Sequence, residues 1–291
     1  MLMNSKILGV CFAAFLLVGC DEEMFGRSDR FTEDFSYQYD LKAGGRVSLE
    51  TMNGSVEIAG WDRDSIEIRG TKYASTEENL RAMKIDIQRG ADYVNIRTIR
   101  PSSTRWGNLG AKYTIRVPRR VDLERIISSN GHIEVRDVEG PGRLRTSNAH
   151  VRVADAKGNF EIETSNGHIE AIGHSGAING HTSNAHVTAE LRDPERGKPV
   201  RLESSNGSIK VRMNQLNDNS IRLSTSNASI TLALPENAGA QLRASTSNAS
   251  VRTDLPLNGR VEKHSAEGKL GAGGPYIDLT TSNGGINIDK L

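Results

Sequence analysis

Ser128-Ser129-Asn130-Gly131-His132-Ile133-Glu134-Val135 is one copy of a pattern that returns down the chain. The corner asparagines of the full copies are Asn130, Asn148, Asn166, Asn184, Asn206, Asn227, Asn248 and Asn283. Their spacings are 18, 18, 18, 22, 21, 21 and 35 residues. A degenerate copy, Thr51-Met52-Asn53-Gly54, stands upstream. A unit near twenty residues with variable insertions is a solenoid signature, and it is too short for a helix pair. Within each copy the apolar residues alternate: Ile133/Val135, Val151/Val153, Ile169/Ala171, Val187/Ala189, Ile209/Val211, Ile230/Leu232 and Ile286/Ile288. Period-two alternation is a strand with one buried face. Four residues before the Asn stands an apolar residue, as at Ile126, Leu144, Ile162, Leu202, Leu223 and Leu279, with Gly180 and Ala244 the weaker cases. Two strands therefore flank each Thr-Ser-Asn corner. A second, often Gly-rich corner such as Glu139-Gly140-Pro141-Gly142 closes the coil. The fold expected is all-β, a single-chain β-solenoid of 18–22-residue coils.

The repeated asparagine reads as structural. Asn tolerates left-handed backbone. Stacked at about 4.8 Å per rung, its amides can form a ladder inside the coil, with a parallel column of Thr and Ser hydroxyls two positions earlier. The N-x-S matches at Asn53, Asn206, Asn227 and Asn248 then read as coincidental glycosylation sequons.

A second column carries chemistry. His132, His150, His168 and His186 hold one position in four successive coils. They read as stacked planar side chains. The sharper alternative is a surface binding or transition-metal site, since neutral imidazole is a good ligand. Against that, no carboxylate shares the column, and mixed ligand sets are more usual. The neighbouring Glu134, Arg152 and Glu170 alternate in sign and suggest a salt-bridged ladder.

Residues 37–125 are β-rich but irregular and are expected to cap the solenoid of 126–291, so that 37–291 forms one continuous domain. Around Asn53-Gly54 the chain reads as a hairpin or a first coil. Residues 76–83 suggest one short helix, with Thr76 as N-cap and Glu77-Glu78 in its first turn. Segments 84–88, 93–99 and 112–117 read as strands. Gly271 to Gly274 reads as a terminal turn.

The N-terminus reads as a leader. Lys6 precedes an apolar run, Ile7 to Val18, too short to span a hydrocarbon core that needs about 20 residues. Leu17-Val18-Gly19-Cys20 resembles the lipobox of bacterial lipoproteins, in which the Cys thiol is alkylated and becomes the new N-terminus. The expectation is a signal peptide over 1–19, lipidation at Cys20 by palmitate-type chains, and a tether over 20–36. The mature chain then has no second cysteine, which excludes disulfides, a thiol nucleophile and a Cys-based metal centre. Asp21 resembles an inner-membrane retention signal of enteric-type lipoproteins. The chain is therefore placed on the outer, periplasmic face of the cytoplasmic membrane or in the outer membrane.

The net charge is +1, with no long basic run, which argues against nucleic acid as a partner. Aromatic residues make up only 5% of the chain, while there are 29 glycines, which suits a repetitive β-architecture better than a compact aromatic core. No cofactor is implied. Enzyme readings are weak: there is no G-x-S-x-G elbow, the Gly271 to Gly274 run lacks a phosphate-loop Lys, and Asp122, Asp137, Asp155 and Asp193 do not recur in register.

Trp61-Asp62, the short helix, Tyr113-Thr114-Ile115-Arg116-Val117-Pro118, the serial Ser-Asn-Gly corners and the Gly268-to-Ile286 ending together resemble a bacterial family of β-strand repeats known as putative adhesins. The resemblance covers roughly residues 40 to 291. It implies a β-solenoid in the envelope or at the cell surface and supplies no activity. The function expected is a non-enzymatic envelope lipoprotein offering a solenoid surface for adhesion, binding or scaffolding. Its partners are the membrane, through the lipid, and an envelope protein or glycan. The alternatives are an enzyme on envelope polysaccharide and an accessory factor in envelope-stress signalling.

Overall fold

A computed structural model of the chain describes residues 31–100 and 108–291. The leader, Cys20 and residues 20–30 of the expected tether lie outside the described residues. Strands that precede the Asn corners form one sheet of 13 strands, here the upstream sheet; strands that follow them form a downstream sheet of 12. Successive coils pair parallel and in register, as where Val151 faces Ile133 on one side and Ile169 on the other. The inward residues of both sheets make one buried cluster running from Leu41 to Ile288. The coil is narrow, so Ile, Val and Leu fill it, which is why so few aromatic residues suffice.

The corner has a division of labour different from the one expected. The Thr or Ser side chain turns inward and is buried, as at Thr146, Thr164 and Thr182. These hydroxyls do not bond one another. Each donates to a corner carbonyl of the neighbouring coil: Thr146 to Gly131 and Thr182 to Gly167, both at 3.0 Å. Several also accept from the N–H three residues on, as Ser128 does from Gly131 at 2.9 Å. The asparagines lie outside, exposed, and none has positive φ. Their amides donate rung to rung: Asn148 to Asn130 at 2.6 Å, and Asn166 to Asn148 and Asn184 to Asn166 at 2.8 Å. The left-handed non-glycine residues are instead Asp218, in a longer corner, and Asp137 and Asp155, at the second corner of the short coils. Asp137 and Asp155 do recur in register, 18 residues apart, correcting the sequence reading; their job is to turn the backbone there.

The ladder also gives the spatial order of coils. Asn130 donates to Asn53, so the degenerate copy is a coil and not a hairpin. At the other end Asn283 donates to Asn227, and Asn248 donates to Asn283. The last coil, strands Tyr276–Thr281 and Ile286–Lys290, is therefore wedged between the two coils that precede it in sequence. Corner chemistry follows this order. From Asn130 onward the residue after Asn runs Gly131, Ala149, Gly167, Ala185, Gly207, Ala228, Gly284, Ala249 in space. A Cβ on Gly167, Gly207 or Gly284 would sit 1.7–1.9 Å from the carbonyl oxygen of the Ala one coil earlier. In sequence the alternation breaks at Ala228 and Ala249; insertion of Gly284 restores it.

The N-terminal end is also out of sequence. Strands Tyr93–Ile99 and Leu109–Pro118 stack outside the coil made by Gly45–Glu50 and Val56–Trp61. Beyond them run antiparallel strands Ser65–Ala74, Phe31–Asp40 and Lys84–Arg89. The strand Phe31–Asp40 begins inside the stretch read as tether. Phe35 packs edge-on against Tyr113 at 5.4 Å between ring centroids, which residues 31–36 alone could not reveal. The helix covers Glu77–Ala82, and Thr76 Oγ1 accepts from the Asn79 N–H. Among the described residues no helix is long and apolar enough to cross a membrane.

Candidate functional site

Two outward surfaces carry concentrated chemistry. On the downstream side His132, His150, His168 and His186 stand immediately before their strands, held in register by the parallel ladder. Their rings stack at 4.8, 4.9 and 4.9 Å with interplanar angles of 3°, 10° and 6°. Burial lowers the proton affinity of His150 and His168, and charge on neighbouring rungs lowers it further. Both shifts favour the neutral form of the two middle imidazoles. One column over, Arg152 pairs with Glu170 at 3.0 Å.

The upstream side carries a shallow trough of about 670 Å³ across several coils. It is lined by exposed Pro141, by the edges of Phe160 and Ile178, whose side chains are buried in the core, and by the polar Asp122, Glu124, Arg143, Asn159, Glu161, Asn179 and Arg201. The short second corners of the 18-residue coils create the recess. The longer corner at 192–199 contributes Pro199 to its wall and Glu195 to an adjoining hollow. Arg143 lies 3.5 Å from Glu161, across neighbouring strands.

Asp122 and Glu124 face the trough by ordinary alternation with buried Val121 and Leu123; past them strand Val121–Ile127 slips in register. Val47 pairs with Leu123, but the next residue, Ser48, pairs with Arg125, so Glu124 is the extra residue of a bulge. The same slip shows against the next coil, where Gly142 pairs with Leu123 and Leu144 with Ile126. The bulge leaves Arg125 outward as well and returns the inward face at Ile126. Partial burial and the charge of Glu124 raise the proton affinity of the Asp122 carboxyl. Sequence reasoning missed this pair as a site, although the signal was present: apolar residues fall at 121, 123 and 126, breaking the period of two.

Of the residues singled out from sequence, the four histidines are brought together on one face and the eight asparagines along one corner. Asp193 lines neither surface. Cys20 lies outside the described residues.

A family model described as Toastrack DUF4097 matches residues 120–289. Among the curated proteins none matches this sequence. Solved structures that are similar include a "putative adhesin" from Bacteroides fragilis NCTC 9343, 12% identical, covering 89% of this chain and 97% of that one, with a TM-score of 0.40. A "putative cell adhesion protein" from Clostridium sporogenes ATCC 15579 is 10% identical, covering 89% and 100%, with a TM-score of 0.29. A "putative adhesin" from Parabacteroides merdae ATCC 43184 is 7% identical, covering 89% and 96%, with a TM-score of 0.33.

Proposed function

The chain belongs to the Toastrack DUF4097 family, and from that premise we propose that it is a non-enzymatic lipoprotein of the cell envelope whose solenoid is a binding surface for an envelope glycan. Cys20 anchors it to the outer face of the cytoplasmic membrane or in the outer membrane, and the trough on the upstream sheet receives the partner. The observation that carries this reading is the trough's lining. Exposed Pro141 and the edges of the core residues Phe160 and Ile178 lie among hydrogen-bonding groups from Arg143, Asn159, Glu161 and Asn179. Sugars present the same alternation, with C–H faces between hydroxyl edges. The site sits on rigid ladder strands, so little ordering is required on binding.

The test is co-sedimentation of the purified chain with isolated envelope polysaccharide. An Arg143→Ala/Asn179→Ala variant should lose about tenfold in affinity or more, while His186→Gln should bind as wild type. Equal binding by all three proteins would move the surface elsewhere. Cys20→Ser should shift the protein in cells from the membrane to the soluble fraction.

One observation favours a second reading, an enzyme acting on such a polymer. Asp122, Glu124 and Glu161 line the same trough, and the proton affinity of Asp122 is raised, as suits a general acid. Release of soluble saccharide by wild type and its loss in Asp122→Asn would establish that reading in place of simple binding.

A further inference from the structure

The upstream face handles its charges differently along its length. On the 18-residue coils outward side chains pair across neighbouring strands: Arg143 with Glu161 and Arg145 with Glu163, both at 3.5 Å. Further on, one outward column reads Asn179, Arg201, Arg222, Asp278, Arg243, Glu267, each directly opposite the next. Arg201 and Arg222 are thus like charges on adjacent rungs about 4.8 Å apart, which destabilises a sheet until something neutralises them. Both are exposed. Among the described residues neither has a salt bridge or a side-chain hydrogen bond. Two carboxylates stand near: Glu203, which lies 4.0 Å from His181, and Asp278, which sits between Arg222 and Arg243. Past Glu203 the next outward column is uncharged, running Ser224, Thr280, Ser245, Ser265. On the other side, Tyr276 opens the strand of the returning coil and is 76% exposed. It stands two residues before Asp278 on the same outward face, about 8 Å from Arg222 by strand spacing and rise.

We propose that this face selects an acidic glycan, one whose sugars carry carboxylate or phosphate groups, with Arg201 and Arg222 holding the anionic group and Tyr276 packing against a sugar ring. The inference rests on the glycan reading and names the class of glycan. Two guanidinium groups on neighbouring rungs grip one oxyanion from two sides, and the planar fork of Arg matches the oxygens of a carboxylate or a phosphate. Tyr276 supplies an apolar ring face with a polar tip, which suits the C–H side of a sugar and its hydroxyl edge. The hydroxyls of Ser224 and Thr280 both donate and accept, as sugar hydroxyls do. Charge also sets the direction in which a chain lies. Arg201 lines the trough, and Asp122 and Glu124 line it as well, several strands away. An acidic polymer is therefore drawn to the Arg201 end and repelled from the Asp122 end. The returning coil supplies Tyr276 and Thr280, so this face is complete only once the C-terminal strands have threaded back between the earlier coils.

The experiment measures binding of the purified full chain to immobilised dextran, carboxymethyl-dextran and phosphorylated dextran, three polymers that share one neutral backbone. Wild type should bind at least one anionic form about tenfold tighter than dextran, and high salt should remove the gain. The anionic form that binds tighter identifies the group the arginines hold. Arg201→Gln/Arg222→Gln should fall to the dextran level. Tyr276→Ala should weaken binding to the anionic forms although no charge changes. Arg136→Gln/Arg212→Gln removes the same charge from exposed positions on the opposite sheet and should bind as wild type. Thermal melts confirm that each variant is folded. Undiminished binding by Arg201→Gln/Arg222→Gln would overturn the proposal. So would an equal loss in Arg136→Gln/Arg212→Gln, which marks net charge alone. If wild type sediments with envelope polysaccharide yet shows no preference for the anionic dextrans, the glycan reading stands and this inference falls; binding to none of these polymers removes both.

Discussion

The 18-residue coils and the coils that follow Leu191 close the same cross-section by different means. In the first group the second corner is a tight backbone turn. Asp137, Asp155 and Gly173 take positive φ, and Gly140, Gly158 and Gly176 stack with φ of 142°, 128° and 125°. In the second group, longer corners are held by side chains. Asn219, fully buried, donates to the carbonyls of Glu195 and Lys198 at 2.7 and 2.9 Å, and Arg196 is bonded to Asp218. The second group also ends by threading its last coil between two earlier ones. A solenoid can therefore be stabilised locally, coil by coil, or by contacts made only when the chain returns.

The largest effect should come from cutting the returning coil. Deleting residues 276–291 removes Ile277, Leu279, Ile286 and Ile288 from the core, each contributing about 1.5–3 kcal/mol of burial. It also parts Asn227 from Asn248. Hydrogen exchange should show residues 240–270 losing protection while the 18-residue coils keep theirs. Gly284→Ala, whose Cβ would lie 1.9 Å from the Ala228 carbonyl oxygen, should reproduce part of this in a full-length chain. Uniform loss across the whole chain would erase the distinction between the two groups.

The corners themselves provide the next contrast. A Cβ on Gly158 would meet the Gly140 carbonyl oxygen at 2.3 Å, at a φ of +128°. Gly197 has a φ of +72° and nothing within 4 Å. Gly158→Ala should cost about 3 kcal/mol or more, whereas Gly197→Ala should cost about 1 kcal/mol for the left-handed backbone alone. Urea denaturation of the two variants measures the difference, and equal costs would mean that the tight corners yield as easily as the long ones.

Within one Asn corner, Thr182→Val should exceed Asn184→Ala. The valine leaves the inward Gly167 carbonyl without the Thr182 hydroxyl, a loss of about 1–3 kcal/mol. Water can replace the exposed Asn184 amide, so its removal should cost less than about 1 kcal/mol. The reverse order would make the visible asparagine ladder the stronger device.

The smallest effect is a pH dependence confined to the tight coils. His174 is fully buried in the column of Val138 and Ala156, its Nδ1 has no hydrogen-bond partner among the described residues, and burial lowers its proton affinity. Below about pH 6.5 the unfolded chain takes up a proton there that the folded chain refuses. Stability from this residue is present above that pH and declines as the pH falls toward the lowered native value. His174→Val should flatten the decline in melting temperature between pH 7 and 5. An unchanged slope would assign the acid sensitivity to other groups.

The repeat by itself determined most of this protein. Alternation of apolar residues around each Thr-Ser-Asn corner sets two parallel sheets, because only one face of each strand can be buried. An 18-residue spacing repeated three times sets four coils in register and brings four histidines onto one face. The inward turn of Thr and the outward turn of Asn were not legible, because both side chains can satisfy their hydrogen bonds locally and only coil geometry selects between them. The strand at Phe31 was missed because its partner surface, Tyr113, is distant in sequence. Tertiary structure alone decided which coil lies beside which at the two ends, since coil adjacency depends on long-range contacts such as Gly284 beneath Ala228. It also decided where charges meet: Glu57 and Glu134 are 77 residues apart in the chain and one rung apart in the sheet.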